Sequence, residues 1–424
     1  MQPPHLALHH LALSLVRRKL VVVLSASSLL ASARPLGALV TIPTNFGGSR
    51  AASAAARSSP PPGQKPSLTQ RLSAAMGGAF SKKKDKPPER QNPSDARNRR
   101  LSVTGDKQQF PSGDRNEEGQ VSDRGINDYI RFSALSNAGY EPDGHKKTNQ
   151  DAFVSIPEHG DPSVSLFAVF DGHGACGHLV SGYVRREWPR HIDMNLVRQE
   201  VANPTEKAEA VLRNLKESFE RVNNNLERDK SVDSSLSGTT AVGCILLGKG
   251  PNRRIICGNA GDSRAILCYK EGSQLKVKEL SDDQKPDRED ERHRIIQCGG
   301  RVEPLIDENG EPIGPHRVWL PNMMLPGLAM ARSIGDDIAA TVGVHATPEI
   351  LVHNIKDNDQ FVVICSDGVW EFLSNEEVVD IVRSCDGDAD RACKELCARS
   401  YREWKAEEEV VDDITALVIY LTGS

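Results

Sequence analysis

The sequence predicts a mixed α+β fold, and two observations predict it. Short apolar runs bounded by Gly, Asp and Asn recur at 152–156, 166–170, 239–247, 254–258, 264–269, 361–365 and 414–421, the pattern of strands. Helical spacings lie between them. Val211, Leu215, Phe219, Val222 and Leu226 are separated by four, four, three and four residues, so they share one helical face. A second helix opens at "SNEEVVDIV" (374–382), where Ser374 and Glu377 form a capping box ahead of an apolar run. "CGNAGDSRAI" (257–266) reads as a hairpin with a polar turn, and its glycine spacing is too weak for a phosphate loop. The Pro- and Gly-bearing stretch 301–327 reads as an extended surface loop or flap, which in a compact domain is often functional.

With 424 residues, 38% of them hydrophobic and 26% charged, the chain suits a soluble protein with long polar loops. Its net charge of −5 averages over a strong asymmetry. Residues 1–76 hold eight Lys/Arg and no acid, and residues 77–100 hold eight basic and three acidic residues. The rest, 101–424, therefore keeps 37 of the 53 basic and 55 of the 58 acidic residues, a net −18. An acidic body of this kind argues against a nucleic-acid-binding role. The nine cysteines fall between Cys176 and Cys397 with no CxxC pair, and Cys244, Cys257 and Cys365 sit inside apolar runs. Reduced, buried thiols explain this better than a disulfide framework.

The first 76 residues do not read as part of the fold. "RRKLVVVLSASSLLASA" has the basic start, short apolar core and small residues of a secretory signal, and the Ala-, Ser-, Pro- and Arg-rich stretch after it resembles a transit peptide. An upstream start outside the translated protein accounts for it equally well. At Met76, "MGGAFSKKK" matches the N-myristoylation pattern, with Gly77 as acceptor and Lys82–Lys84 as a polybasic second signal. That predicts a cytoplasmic protein held at a membrane surface if translation starts at Met76, and a secretory or plastid destination if the leader is used. Residues 77–125 are polar and are expected to be a disordered linker. The folded domain is expected over 126–424.

Aspartates stand where strands meet loops. Asp171 follows "LFAVF" and Asp367 follows "FVVICS", while Asp151 precedes "AFVSI" and Asp412 and Asp413 precede "ITALVIY". In an antiparallel sheet, the end of one strand lies beside the start of its neighbour, so these carboxylates can gather on one rim. Like charges so close are unfavourable unless a cation neutralises them. An all-oxygen shell suits Mg²⁺ or Mn²⁺. Each aspartate alone can equally end its strand in an Asx turn. Gly172 and Gly368 follow two of them and let the backbone approach closely, so a carbonyl there can serve as a ligand. His173 belongs to no apolar helical stripe and is a natural general acid near an activated water. Asp262 is either a further ligand or a turn residue pairing with Arg264.

Seven motifs, in order, carry a resemblance: "KKTNQDAF", "FAVFDGHG", "SGTTAVGCIL", "GNAGDSRA", "LAMARSIGD", "VVICSDGVWEFLS" and "DDITALVIY". Over about residues 126–424 the chain resembles the metal-dependent protein phosphatases of type 2C, which act on phosphoserine and phosphothreonine. The resemblance implies two antiparallel sheets packed as a sandwich with helices on both outer faces, four layers in all. It implies two Mg²⁺ or Mn²⁺ ions and a third, weaker one. Asp171 would bridge the first two, with the Gly172 carbonyl on one of them. Asp367 and Asp412 would bind the second, and Asp151 would act through a bound water. Asp413 stands where the family usually has Asn. His173 matches the proposed general acid, and Asp262 and Glu371 match positions near the third ion. Lys146 stands where the family often has a phosphate-contacting Arg and lacks its bidentate fork. Gln150 replaces a Glu beside Asp151, and Glu371 replaces a more frequent Asp.

The expected reaction is direct hydrolysis of a phosphoester in a phosphoprotein substrate by a water activated between two ions, in a monomer. Two other readings share the ligand set. One is a catalytically weak module that binds phosphoproteins, and the other is a hydrolase of small phosphoesters.

Overall fold

A computed structural model describes residues 114–115, 121–202, 208–248 and 252–422. The first strands are β1 (Asp114–Arg115), β2 (Val121–Ile126), β3 (Ile130–Asn137), β4 (Ala152–Ile156), β5 (Val164–Phe170) and β6 (Gly172–His173). Helices α1 (Gly177–Glu187), α2 (Met194–Ala202) and α3 (Ala208–Arg228) follow, then β7 (Gly238–Thr239), β8 (Ala241–Leu247), β9 (Arg254–Ala260), β10 (Arg264–Glu271) and β11 (Gln274–Glu279). Next come α4 (Glu289–Gln297), β12 (Arg301–Ile306), β13 (Pro312–Trp319), β14 (Pro326–Leu328), β15 (Ile334–Gly335) and α5 (Asp337–Ala340). The chain closes with β16 (Glu349–Asn354), β17 (Asp359–Cys365), α6 (Asp367–Trp370), α7 (Asn375–Arg383), α8 (Ala389–Glu407) and β18 (Ile414–Leu421).

Two antiparallel sheets dominate, one in the order β1-β2-β3-β18-β17-β10-β11 and the other β16-β9-β8-β5-β4. Strand β5, "VSLFAVF", explains why several strands are apolar without alternation. Phe167 and Val169 face the other sheet, in a core shared with Phe132, Leu267 and Leu417. Leu166, Ala168 and Phe170 point the opposite way, into a core with Val180, Trp188 and Phe219 from the α1–α3 side. Both faces are covered, so both must be apolar. Complete burial of each Leu, Val or Phe among them is worth about 1.5–3 kcal/mol. The outer face of the seven-stranded sheet packs Val363, Ala416 and Val418 against Trp370, Val379 and Leu396 of α6–α8. The layers therefore run helix, sheet, sheet, helix, as expected.

The predicted helices are α3 and α7, and the Ser374–Glu377 capping box is formed in both directions. All nine cysteines are unbridged. Three expectations change. "CGNAGDSRAI" is not a hairpin: β9 belongs to the five-stranded sheet and β10 to the other, so the turn crosses between layers. A polar turn between two apolar strands looks the same in sequence whether or not the strands pair. The 301–327 flap is itself a three-stranded antiparallel sheet, β12-β13-β14. The ordered body also begins ahead of residue 126, because β2 pairs with β3 and Ser155 Oγ donates to the Asp123 carboxylate. The leader-like segment, Gly77 and Lys82–Lys84 lie outside the described residues. No helix among the described residues is long and apolar enough to cross a membrane.

Candidate active site

Strand register brings the predicted carboxylates to one end of the sandwich. Ala152 pairs with Phe170 across β4 and β5, so Asp151 and Asp171 flank the same end of the five-stranded sheet. Cys365 pairs with Ala416 across β17 and β18, which sets Asp367 beside Asp412 and Asp413 on the other sheet. Asp262 joins them from the β9–β10 crossing. Hydroxyls tie the two sheets together here. Ser366 and Thr415 of one sheet donate to Asp151 Oδ2 at the edge of the other, at 2.8 and 2.6 Å. Thr240 accepts from the Asp171 N–H at 3.0 Å and lies 2.7 Å from Ser263 Oγ, linking the Asp171 and Asp262 turns.

The electrostatics are those of a site short of positive charge. Burial, then the charges of Asp151, Asp367 and Asp412, pushes Asp171 well above the usual carboxylate range. Asp151 is likewise raised, by burial and then by Asp413, against the hydrogen bonds from Thr415 and Ser366. Burial, Asp262 and Asp412 push Asp367 up to about 7, with Lys285 opposing. A side-chain hydrogen bond with Asp367 adds to the rise of Asp171 and opposes that of Asp367. Both reach the rim through turns too tight for a side chain. A Cβ on Gly172 would lie 2.5 Å from the Gln150 carbonyl oxygen, and one on Gly368 only 2.0 Å from that of Asp413.

Asp413 does a different job from its neighbour. Its two oxygens accept the backbone N–H groups of Gly139 and Gln150, each at 2.7 Å, and so hold the loop that carries Asp151. Asp412 remains 42% exposed at the rim, paired with Lys147 at 2.8 Å.

His173 Nε2 lies 2.6 Å from Asp336 Oδ2, and the buried Asp336 also accepts from Ser333 Oγ at 2.6 Å. Burial alone would depress His173, but the Asp336 charge and hydrogen bond outweigh it, with Asp262 and Asp367 adding, and the imidazole is raised. Its partner closes "LAMARSIGD", a motif visible in the sequence with no local sign that its last residue faces His173.

The other predicted positions divide. Asp262 pairs with Lys285 at 2.5 Å, whereas Arg264 pairs with Asp283, so the Asp262–Arg264 turn reading falls. Lys285 is raised despite burial, by Asp262 and then Asp367. Glu371 is exposed, one helical turn beyond Asp367, to whose carbonyl its N–H donates at 2.8 Å. Lys146 is exposed over the Tyr140 ring, and it is the neighbouring Lys147 that reaches the carboxylates. Lys147 and Asp336 stand in quoted motifs and Lys285 in none, but nothing local assigns their partners, because each meets its partner only through the tertiary fold.

A second acidic group, Asp290, Glu291 and Glu349, has three carboxylates within 4.8 Å of one another. Guanidinium groups already neutralise it: Arg332 meets Glu291 and Glu349 at 2.6 and 2.9 Å, Arg294 meets Glu291 at 2.6 Å, and Arg288 bonds all three acids. Hence Glu291, although buried, is held below the usual carboxylate range. Glu291 Oε2 also lacks a hydrogen bond but lies 2.6 Å from the Arg294 guanidinium, whereas the strand-end group has orphan atoms with no guanidinium on them. Asp151 Oδ1, Asp262 Oδ1 and His173 Nδ1 are buried there without a hydrogen-bond partner among the described residues. Buried orphan oxygens and raised carboxylates, in an oxygen-only donor set, fit divalent cations such as Mg²⁺ or Mn²⁺.

Comparison with known proteins finds one family. A family model described as protein phosphatase 2C matches residues 138–408. The probable protein phosphatase 2C 35 of Arabidopsis thaliana is 37% identical over 305 residues, covering 68% of this chain and 83% of that one. The probable protein phosphatase 2C 64 of Oryza sativa subsp. japonica is 38% identical over 290 residues, covering 67% and 65%. Among solved structures, the serine-threonine phosphatase 2C from Toxoplasma gondii shares the fold with a TM-score of 0.61 at 19% identity, over 72% of this chain and 99% of that one.

Proposed function

The chain belongs to the protein phosphatase 2C family, and on that premise we propose that its strand-end carboxylates and His173 hydrolyse phosphoserine and phosphothreonine esters directly. It is a protein serine/threonine phosphatase. The convergence of Asp151, Asp171, Asp367 and Asp412 from two sheets, with Asp151, Asp171 and Asp367 raised by burial and then by neighbouring carboxylates, carries the assignment. Asp151, Asp171, the Gly172 carbonyl, Asp367 and Asp412 would hold two Mg²⁺ or Mn²⁺ ions, and Asp262 with Glu371 a third. Bound there, the cations supply Lewis acidity for the phosphoryl oxygens and lower the pKa of the attacking water.

The chain's own groups do the rest. Asp336 accepts from His173 Nε2 and favours the imidazolium, leaving Nδ1 to hold the proton for the departing serine or threonine oxygen. Ser333 keeps the Asp336 carboxylate oriented. Ser366 and Thr415 fix the Asp151 carboxylate, so one oxygen is committed to the fold and the other faces the site. Lys147 holds Asp412 at the mouth.

Turnover of a phosphopeptide and of nucleotides, with Mn²⁺ and with a chelator, tests this reading. Cation-dependent hydrolysis of the phosphopeptide is expected. Activity confined to nucleotides would favour a small-phosphoester hydrolase. Phosphopeptide binding without turnover would leave a recognition module.

A further inference from the structure

A cleft of about 690 Å³ opens beside the acid cluster and reaches it at Asp151. Lys146 and Lys147 approach it from the loop ahead of β4, His178 from the first turn of α1, and Arg185 and Arg186 from its last turn. A helix C-terminus suits cations by itself. That does not account for His178 at the opposite end of the helix, or for the two lysines of another segment. Four Lys/Arg side chains and a histidine lining one cleft are unexpected in a body whose residues 101–424 carry a net −18. The arginines are held in place: Arg185 lies 5.8 Å from the Phe153 ring centroid, and Arg186 donates to the Gly182 carbonyl at 2.9 Å. Between them the surface is apolar, with Leu179 43% exposed.

We infer that this cleft seats acidic residues flanking the phosphoserine or phosphothreonine of a substrate polypeptide, a statement that rests on the phosphatase reading above. A chain whose phosphate lies at the strand-end carboxylates passes the mouth of the cleft at Asp151. Its acidic neighbours then meet Arg185, Arg186 and Lys146, while its backbone and aliphatic parts cover Leu179. Prepositioned guanidinium groups lower the ordering cost of such contacts. The cluster thus selects among phosphoproteins by local charge and leaves the chemistry unchanged.

The test uses the full chain at saturating Mn²⁺. Wild type, Arg186→Glu and Arg185→Gln/Arg186→Gln are assayed on three phosphopeptides that carry acids before the phosphoresidue, acids after it, or alanines throughout. p-Nitrophenyl phosphate is the fourth substrate. On the better acidic peptide the variants are expected to lose about tenfold in kcat/KM, through KM, and the loss should shrink as salt is raised. On the alanine peptide and the aryl phosphate they should stay within about twofold of wild type. Arg186 is exposed, so Arg186→Glu keeps the test valid if loss of the Arg185–Phe153 stack unfolds the double variant. Equal losses on all substrates, or none on any, overturn the inference. So does binding of wild type to phosphatidylserine vesicles that the variants lose while their peptide kinetics stay unchanged, which would make the cluster a membrane face. A wild-type protein that turns over none of the four removes the phosphatase reading, and the cleft assignment with it.

Discussion

His173 and Asp336 are 163 residues apart in the chain and 2.6 Å apart at the site. Asp336 adopts φ +51°, a left-handed conformation that Asp and Asn tolerate better than other side chains. Asp336→Asn should therefore fold while losing the charge that raises the imidazole. A general acid works only while protonated, so activity falls as pH rises through its pKa. Lowering that pKa moves the alkaline limb of the pH–rate profile to lower pH. At neutral pH the loss on a phosphoserine peptide should be about 10–100-fold, part of what general-acid catalysis supplies. A profile that drops without shifting would assign Asp336 a structural role only.

His173→Gln should discriminate between leaving groups. A serine alkoxide needs protonation in the transition state, whereas a nitrophenolate largely does not. The phosphopeptide should lose about 10²–10⁴-fold and the aryl phosphate far less, read from kcat on each. Equal losses would show that His173 does not deliver the leaving-group proton.

Asp367 contributes to the pH response of the cation-free protein, beside the raised Asp151 and Asp171. Its pKa is about 7 folded against 3.8 unfolded, so folding takes up a proton between these values. Stability from this group is complete below about pH 4 and is lost as pH rises through 7. Asp367→Asn should flatten that decline and raise cation-free stability at pH 8, by on the order of 1 kcal/mol. Urea denaturation at pH 5 and pH 8 with a chelator measures it. The same variant should lose most activity at saturating Mn²⁺, and near-wild-type turnover would remove Asp367 from the ligand set.

Two glycine substitutions should separate close approach from backbone strain. Gly368→Ala forces a Cβ to within 2.0 Å of the Asp413 carbonyl oxygen, beside the Asp367 turn. Overpacking of this kind costs about 1–3 kcal/mol or more, and cation affinity should fall with it. Gly144 has φ +84° with open space around it, so Gly144→Ala should cost only about 1–2 kcal/mol of left-handed strain. Paired denaturation curves and a Mn²⁺ titration by calorimetry read both effects.

Strand runs such as 152–156 and 414–421 were legible to the residue, because burial on both faces leaves a nearly continuous apolar signal, interrupted only by Ser155 and Thr415. The α7 capping box and the period of α3 were legible for a different reason: the determining contacts are local. By contrast β2, with the polar "VSDRGI", lies near the sheet edge and pairs with β3, and its sequence resembles the linker before it. The 301–327 flap was expected as an extended loop, because the pairings that make it a sheet lie between partners such as Arg301 and Trp319.

The sequence by itself determined which residue types stand where chain direction changes. Asp171-Gly172-His173, Asp367-Gly368 and Asp412-Asp413 announce carboxylates at strand ends, and a rim of carboxylates demands a cation. Tertiary structure decided what meets what. Lys147 rather than Lys146 reaches Asp412, Lys285 rather than Arg264 pairs with Asp262, and Asp336 holds His173. The physical reason is range. Propensity and periodicity act over a few residues, whereas charge pairing and burial depend on distances that exist only after the two sheets have packed.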